Sequence, residues 1–101
     1  MQALVALSDG TRRRLVELLA LGDRSAGELA AEFEISRPAV SRHLRVLREN
    51  DLVRSRVAAQ RRVYSLRPEP LAELDAWLGR YRGLWTSRLD ALHTEIERGK
   101  Q

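Results

Sequence analysis

Cysteine is absent from this chain of 101 residues, which removes disulfides and thiolate metal sites together. No run approaches the eighteen or so apolar residues of a membrane span, and no signal peptide opens the chain. A cytoplasmic protein with no membrane contact is the expectation. Glycine-rich phosphate loops are missing too, and the only two histidines, His43 and His93, fall on separate helical patterns. Nucleophilic, metal-assisted and nucleotide-dependent catalysis therefore lack their usual signals, and the chain reads as a non-enzyme without a cofactor. Lysine is scarce: Lys100 is the only one among eighteen basic residues.

What the chain has is arginine, and it is segregated. Residues 36–67 hold nine arginines against Glu49 and Asp51, a balance of +7. The stretches 1–35 and 68–101 come to −2 and −1. A basic patch confined to one third of a chain is the electrostatic footprint of a polyanion binder. Within that third lies Ser-Arg-Pro-Ala-Val-Ser-Arg-His-Leu-Arg-Val-Leu-Arg, residues 36–48. Ser36 suits an N-cap, and Pro38 falls in the first turn, where its missing N–H costs nothing. Val40, Leu44 and Leu47 recur at i, i+4 and i+7 as one apolar stripe. Pro38, Arg42 and Arg45 point the other way, flanked by Ser41. Arginine is planar and forked, fitted to a guanine edge or a phosphate, and a helix fits the B-DNA major groove.

The neighbouring pattern supports that helix. Residues 1–7 form a short apolar, helical segment. Ser8-Asp9-Gly10-Thr11 offers caps for a second helix, predicted to reach about Leu21 and stop at Gly22, with Leu15, Leu18 and Leu19 inward. Arg12, Arg13 and Arg14 begin it, against the macrodipole; contact with phosphate and plain solvent exposure are both open readings. Ser25-Ala-Gly-Glu28 has the form of a capping box and opens a helix to about Phe33. Two short helices and a tight turn, the second helix basic, make a helix-turn-helix over about residues 25–49. Residues 52–57 and 61–66 then alternate with period two around Ala58-Ala59-Gln60, a β-hairpin wing over 52–66 with Arg61 and Arg62 near its tip.

Pro68-Glu69-Pro70 opens a long helix, predicted over about 69–98. Leu71, Leu74, Leu78, Tyr81, Trp85, Leu89, Leu92 and Ile96 are spaced by threes and fours, and Trp77 and Leu84 widen the stripe. That is more apolar face than one small domain covers, and both tryptophans lie on it. It reads as a dimerisation helix packing with the N-terminal segment. The expected interface is Leu4, Leu74, Leu78, Tyr81, Trp85, Leu89 and Leu92. The fold expected is mostly α with a small β-hairpin, one winged helix-turn-helix domain over 1–101.

In this order the elements resemble an ArsR-type winged-helix transcriptional regulator. The resemblance is carried by Ala6-Leu-Ser-Asp-Gly-Thr-Arg-Arg13, Glu28-Leu-Ala-Ala31, Ser36 to Leu47, Leu52-Val53 and Arg61-Arg-Val-Tyr-Ser-Leu66. It implies a dimeric repressor with its recognition helix in the major groove and its wing along the minor groove. Double-stranded DNA and a second copy of the chain are the implied partners. Arg37, Pro38, Ser41, Arg42 and Arg45 are the expected base readers, with Arg61 and Arg62 on the wing. The chain departs from the family pattern at Gly10, where proline is usual, at Asn50-Asp51, where Ala-Gly is usual, and at Glu34, often glycine. The Cys-x-Cys metal pair is missing. Asp90, His93 and Glu97, at i, i+3 and i+7 on the last helix, are the only candidates for a zinc site shared across a dimer. A solvated acidic edge with one histidine is the plainer reading, so no metal is assigned. The chain resembles the metal-independent members, whose signals include a small-molecule effector. Two alternatives stand beside the leading one: a metal-responsive repressor using Asp90, His93 and Glu97, and a winged-helix module that binds protein. The second would need an acidic or apolar recognition face, against the +7 observed.

Overall fold

The computed structural model describes residues 2–99. Met1 of the expected N-terminal segment, and Lys100 and Gln101 of the expected 1–101 domain, lie outside the described residues. The chain divides into two compact units, Met1–Leu71 and Ala72–Gln101. The first holds helices α1 (Gln2–Ala6), α2 (Gly10–Ala20), α3 (Ala26–Ala30) and α4 (Arg37–Glu49), and strands β1 (Arg24–Ser25), β2 (Val53–Ala58) and β3 (Arg61–Leu66). Helix α5 runs from Pro68 to Gly99; its first turn, to Leu71, belongs to the first unit, and the rest makes up the described part of the second. The fold is mostly helical, a winged helix-turn-helix followed by a long C-terminal helix.

Side-chain caps start the helices. Asp9 accepts the Arg12 amide at 3.1 Å and opens α2. Ser25 and Glu28 form the expected reciprocal capping box of α3, and Ser36 accepts the Ala39 amide at 3.2 Å to open α4. Helix α4 ends in a Schellman motif: the Leu52 amide donates to Leu47 and that of Asp51 to Arg48. Asp51 takes the left-handed conformation there, φ 60°, so the missing glycine is replaced by a residue that tolerates the same geometry. Leu52 then drops into the core directly after α4.

One apolar cluster holds the first unit. Leu15, Leu18 and Leu19 of α2, Leu29 of α3, Val40, Leu44 and Leu47 of α4, then Leu52, Val53 and Tyr64, are all buried, with Ala3 and Ala6 of α1. Phe33 packs against the cluster, but from the turn: α3 ends at Ala30, earlier than the expected Phe33. The hairpin is also more than a hairpin. Arg24 pairs with Tyr64 and Ser25 with Val63, giving a three-stranded antiparallel sheet of order β1-β3-β2. Two residues are too short a run to show a period of two, so β1 leaves no pattern in the sequence. The wing turn is tighter than expected. Ala58 pairs with Arg61, leaving only Ala59 and Gln60 in the loop, with Ala59 at φ 57°. Two-residue hairpin loops need a positive φ, and alanine supplies it here at a cost of about 1 kcal/mol.

Candidate nucleic-acid interface

Burial of Val40, Leu44 and Leu47 sets the rotation of α4, and the opposite face follows from it. Arg37, Pro38, Ser41, Arg42 and Arg45 are all exposed. Around them the surface forms three adjoining hollows that share residues. Ser41, Arg42, Arg45 and Arg48 line a cleft with Arg62 and Tyr64 of the wing. Arg62 also borders a hollow with Arg37, Gly27, Gln60 and Arg61. Arg42 borders a third with Arg12, Ala39, His43 and Val46. Seven arginines from α2, α4 and β3 thus form one continuous basic strip. Adjacent cations repel one another, so the strip favours an extended polyanion that separates the charges.

The two wing arginines do not stay together. Strand β3 alternates faces, and Arg62 shares one with Tyr64, where it donates to Ser55 Oγ at 3.0 Å. Arg61 lies on the other face and forms an ion pair with Glu28 Oε1. That same oxygen accepts the Ser25 amide in the capping box. The Ser25 amide, then its hydroxyl, then the charge of Arg61 hold the Glu28 carboxyl below its ordinary value. Arg61 therefore borders the strip tied to Glu28 of α3, whereas Arg62 has no carboxylate partner among the described residues. Arg45 keeps a looser partner, Glu49, 3.8 Å away.

Arg12, His43, Arg48 and Tyr64 complete the strip; the sequence leaves phosphate contact open for Arg12 and offers His43 as a packing residue or phosphate donor, while Arg48 and Tyr64 are not among the expected DNA contacts. Arg12 Nε donates to the Ala6 carbonyl at 2.6 Å, and its Nη1 lies 3.5 Å from His43 Nδ1. Asp9 Oδ1 lies 3.8 Å from the same ring nitrogen. The Arg12 amide holds the Asp9 carboxyl below its ordinary pKa, with smaller contributions from His43 and the Arg12 guanidinium and against an opposing effect of burial. In the sequence Arg12 is one of three arginines at a helix start for which phosphate contact and solvent exposure are both open. Its closeness to α4 depends on the packing of α2.

In the second unit, α5 has no buried residue along its length. Trp85 is 47% exposed and Leu89 65%, and Tyr81, Leu84, Leu92 and Ile96 are likewise exposed. Leu74 and Leu78 are half-buried. Trp77, Tyr81 and Trp85 form a ladder one turn apart, with ring centroids 5.3 and 6.4 Å apart. Leu4 of α1 is exposed as well. Of the zinc candidates, His93 Nε2 lies 3.0 Å from Glu97 Oε1. Asp90 does not join them: among the described residues no three His, Cys, Asp or Glu side chains converge.

Fold and surface together define a winged helix-turn-helix DNA-binding regulator. Residues 9–55 match the family described as bacterial regulatory protein, arsR family. The HTH-type transcriptional regulator Rv2034 of Mycobacterium tuberculosis is 51% identical over 88 residues, spanning 87% of this chain and 79% of that protein. The transcriptional repressor SdpR of Bacillus subtilis is 37% identical over 73 residues, 72% of this chain and 81% of the repressor. Among solved structures, a possible transcriptional regulator for arsenical resistance superposes with TM-score 0.73 at 43% identity, covering 80% of this chain and 84% of that one. The homodimeric winged helix-turn-helix DNA-binding domain of Mb0332 from Mycobacterium bovis superposes with TM-score 0.66 at 27% identity, covering 81% and 76%. The chain belongs to the ArsR family of transcriptional regulators, which act by binding and not by catalysis. No helix among the described residues is long and apolar enough to cross a membrane.

Proposed function

We propose that the protein is a homodimeric repressor that reads an inverted-repeat operator in the cytoplasm. Arg37, Pro38, Ser41, Arg42 and Arg45 would meet base edges in the major groove, and Arg62 would follow the backbone from the wing. Arg61 joins them only by leaving Glu28. The observation that carries this reading is the continuous basic strip from Arg12 across α4 to Arg62. The exposed Tyr81, Trp85, Leu89 and Leu92 of α5, with the half-buried Leu74 and Leu78 on the same stripe, support self-association, and exposed Leu4 of α1 is a further candidate for the interface. Two-fold symmetry then asks for half-sites about one helical turn apart. The signal on this reading is something other than a thiolate-bound metal, a small-molecule effector included.

Selection of bound duplexes from a random pool at near-physiological salt tests the proposal. Recovery of one inverted repeat is the expected result. Recovery of unrelated sequences, held only at low salt, would leave nothing but counterion-release affinity and overturn it.

A further inference from the structure

Arg48 belongs to the recognition helix but stands away from its reading end. It follows Arg37 by eleven residues, roughly 16 Å along the axis. Recognition helices meet base edges with their N-terminal residues, so a side chain this far along lies nearer the sugar-phosphate backbone. In the fold Arg48 faces the wing across the cleft it shares with Arg42, Arg45, Arg62 and Tyr64. Arg45 has Glu49 at 3.8 Å, while no carboxylate among the described residues pairs with Arg48 or Arg42. Four guanidinium groups thus converge on one hollow with a single acidic side chain beside them.

Tyr64 provides an independent observation. It is only 7% exposed, its ring belonging to the core. Its hydroxyl makes no hydrogen bond among the described residues, yet no buried side-chain polar atom lacks a partner. The hydroxyl is therefore not fully buried, and Tyr64 is one of the residues that line the cleft. A tyrosine with its ring in the core normally finds a partner for its O–H, and this one lines a cationic cleft with no protein partner among the described residues.

We propose that Arg48 and the Tyr64 hydroxyl, with Arg62 across the cleft, seat one phosphodiester of the DNA backbone. The proposal rests on the DNA-binding reading above and extends it to Arg48, further along the same face of α4, and to Tyr64 of the wing. A guanidinium fork matches two phosphate oxygens, and the phenol donates to one of them. The seat fixes the register of α4 on the duplex and carries no base preference.

The test is DNA affinity against salt for wild type, Arg48→Ala, Arg48→Lys and Tyr64→Phe. Each is titrated by fluorescence anisotropy into the pool-selected duplex and into a scrambled duplex of equal length. Arg48→Ala is expected to weaken both duplexes by the same factor and to make the salt slope shallower by about 0.9. Arg48→Lys restores the slope. Tyr64→Phe keeps the ring in the core and weakens both duplexes several-fold with the slope unchanged. An unchanged slope in Arg48→Ala, or a loss confined to the selected duplex, overturns the seat and leaves the DNA-binding reading standing. Failure of the wild type to bind either duplex overturns both. Inorganic phosphate titrated into DNA-free protein, against chloride of equal ionic strength, separates the two sources of phosphate. Saturable binding that Arg48→Ala abolishes would reassign the cleft to a free phosphorylated ligand.

Discussion

Individual side chains on this surface differ in what they are free to do. Arg42 has no carboxylate partner among the described residues and lies where two hollows of the basic strip meet. Its replacement by alanine is expected to cost about 1–3 kcal/mol of operator binding and to relax preference at one base position. Equal weakening on every duplex would make it a phosphate contact instead. Glu28 is committed to two jobs, capping α3 and restraining Arg61. Its carboxyl lies below the ordinary 4.5. A depressed carboxyl contributes stability that is present above pH 4.5 and lost as pH falls through the lower folded value. Denaturant unfolding between neutral and acid pH should therefore show a shallower acid loss for Glu28→Gln than for wild type. The same substitution releases Arg61, and tighter nonspecific DNA binding at neutral pH is the expected companion result.

At the scale of single elements, two departures from the family pattern mark positions where the backbone asks for another residue. Gly10 is the first residue of α2, and Asp9 before it sits at φ −91° and ψ 131°. That conformation accepts a following proline, and the first amide of a helix has no intrahelical partner to lose. A Cβ at Gly10 would meet only an Arg13 side-chain atom at 3.6 Å. Gly10→Pro is expected to stabilise the fold by about 0.4–1 kcal/mol, read as a higher denaturant midpoint with unchanged m. Asp51 holds the left-handed position after α4, where glycine carries no Cβ penalty. Asp51→Gly is expected to add up to about 1 kcal/mol, less the small contribution of its exposed pair with Arg67. A lower midpoint for Asp51→Gly would show that the pair outweighs the backbone. The Ser36 cap, the α3 capping box and the α4 stripe were legible because each depends on residues three or four apart. Strand β1 and the exact wing turn were not: one rests on pairing with β3, the other on a strained alanine no propensity favours.

On the scale of the whole molecule, charge and apolar surface are kept apart along the chain, basic in 36–67 and apolar on α5. On the proposed reading these are two interfaces, and the second has its own test. Trp85→Ala is expected to weaken self-association by about 2 kcal/mol or more, as truncation of a central aromatic anchor does. Sedimentation across a concentration series would register it, and a wild type that stays monomeric throughout would refute the dimer. The amino-acid sequence by itself determined the helical periods, the caps, the segregation of charge and the unspent stripe of α5, because all of these are local or compositional. Only the tertiary structure decided which basic side chains meet. Arg12 and His43, Arg61 and Glu28, and Arg48 and Tyr64 lie 31, 33 and 16 positions apart, and packing of α2, α3 and the wing around α4 brings each pair together. The parity of a single strand then parted Arg61 from Arg62, since adjacent residues on a pleated strand face opposite ways.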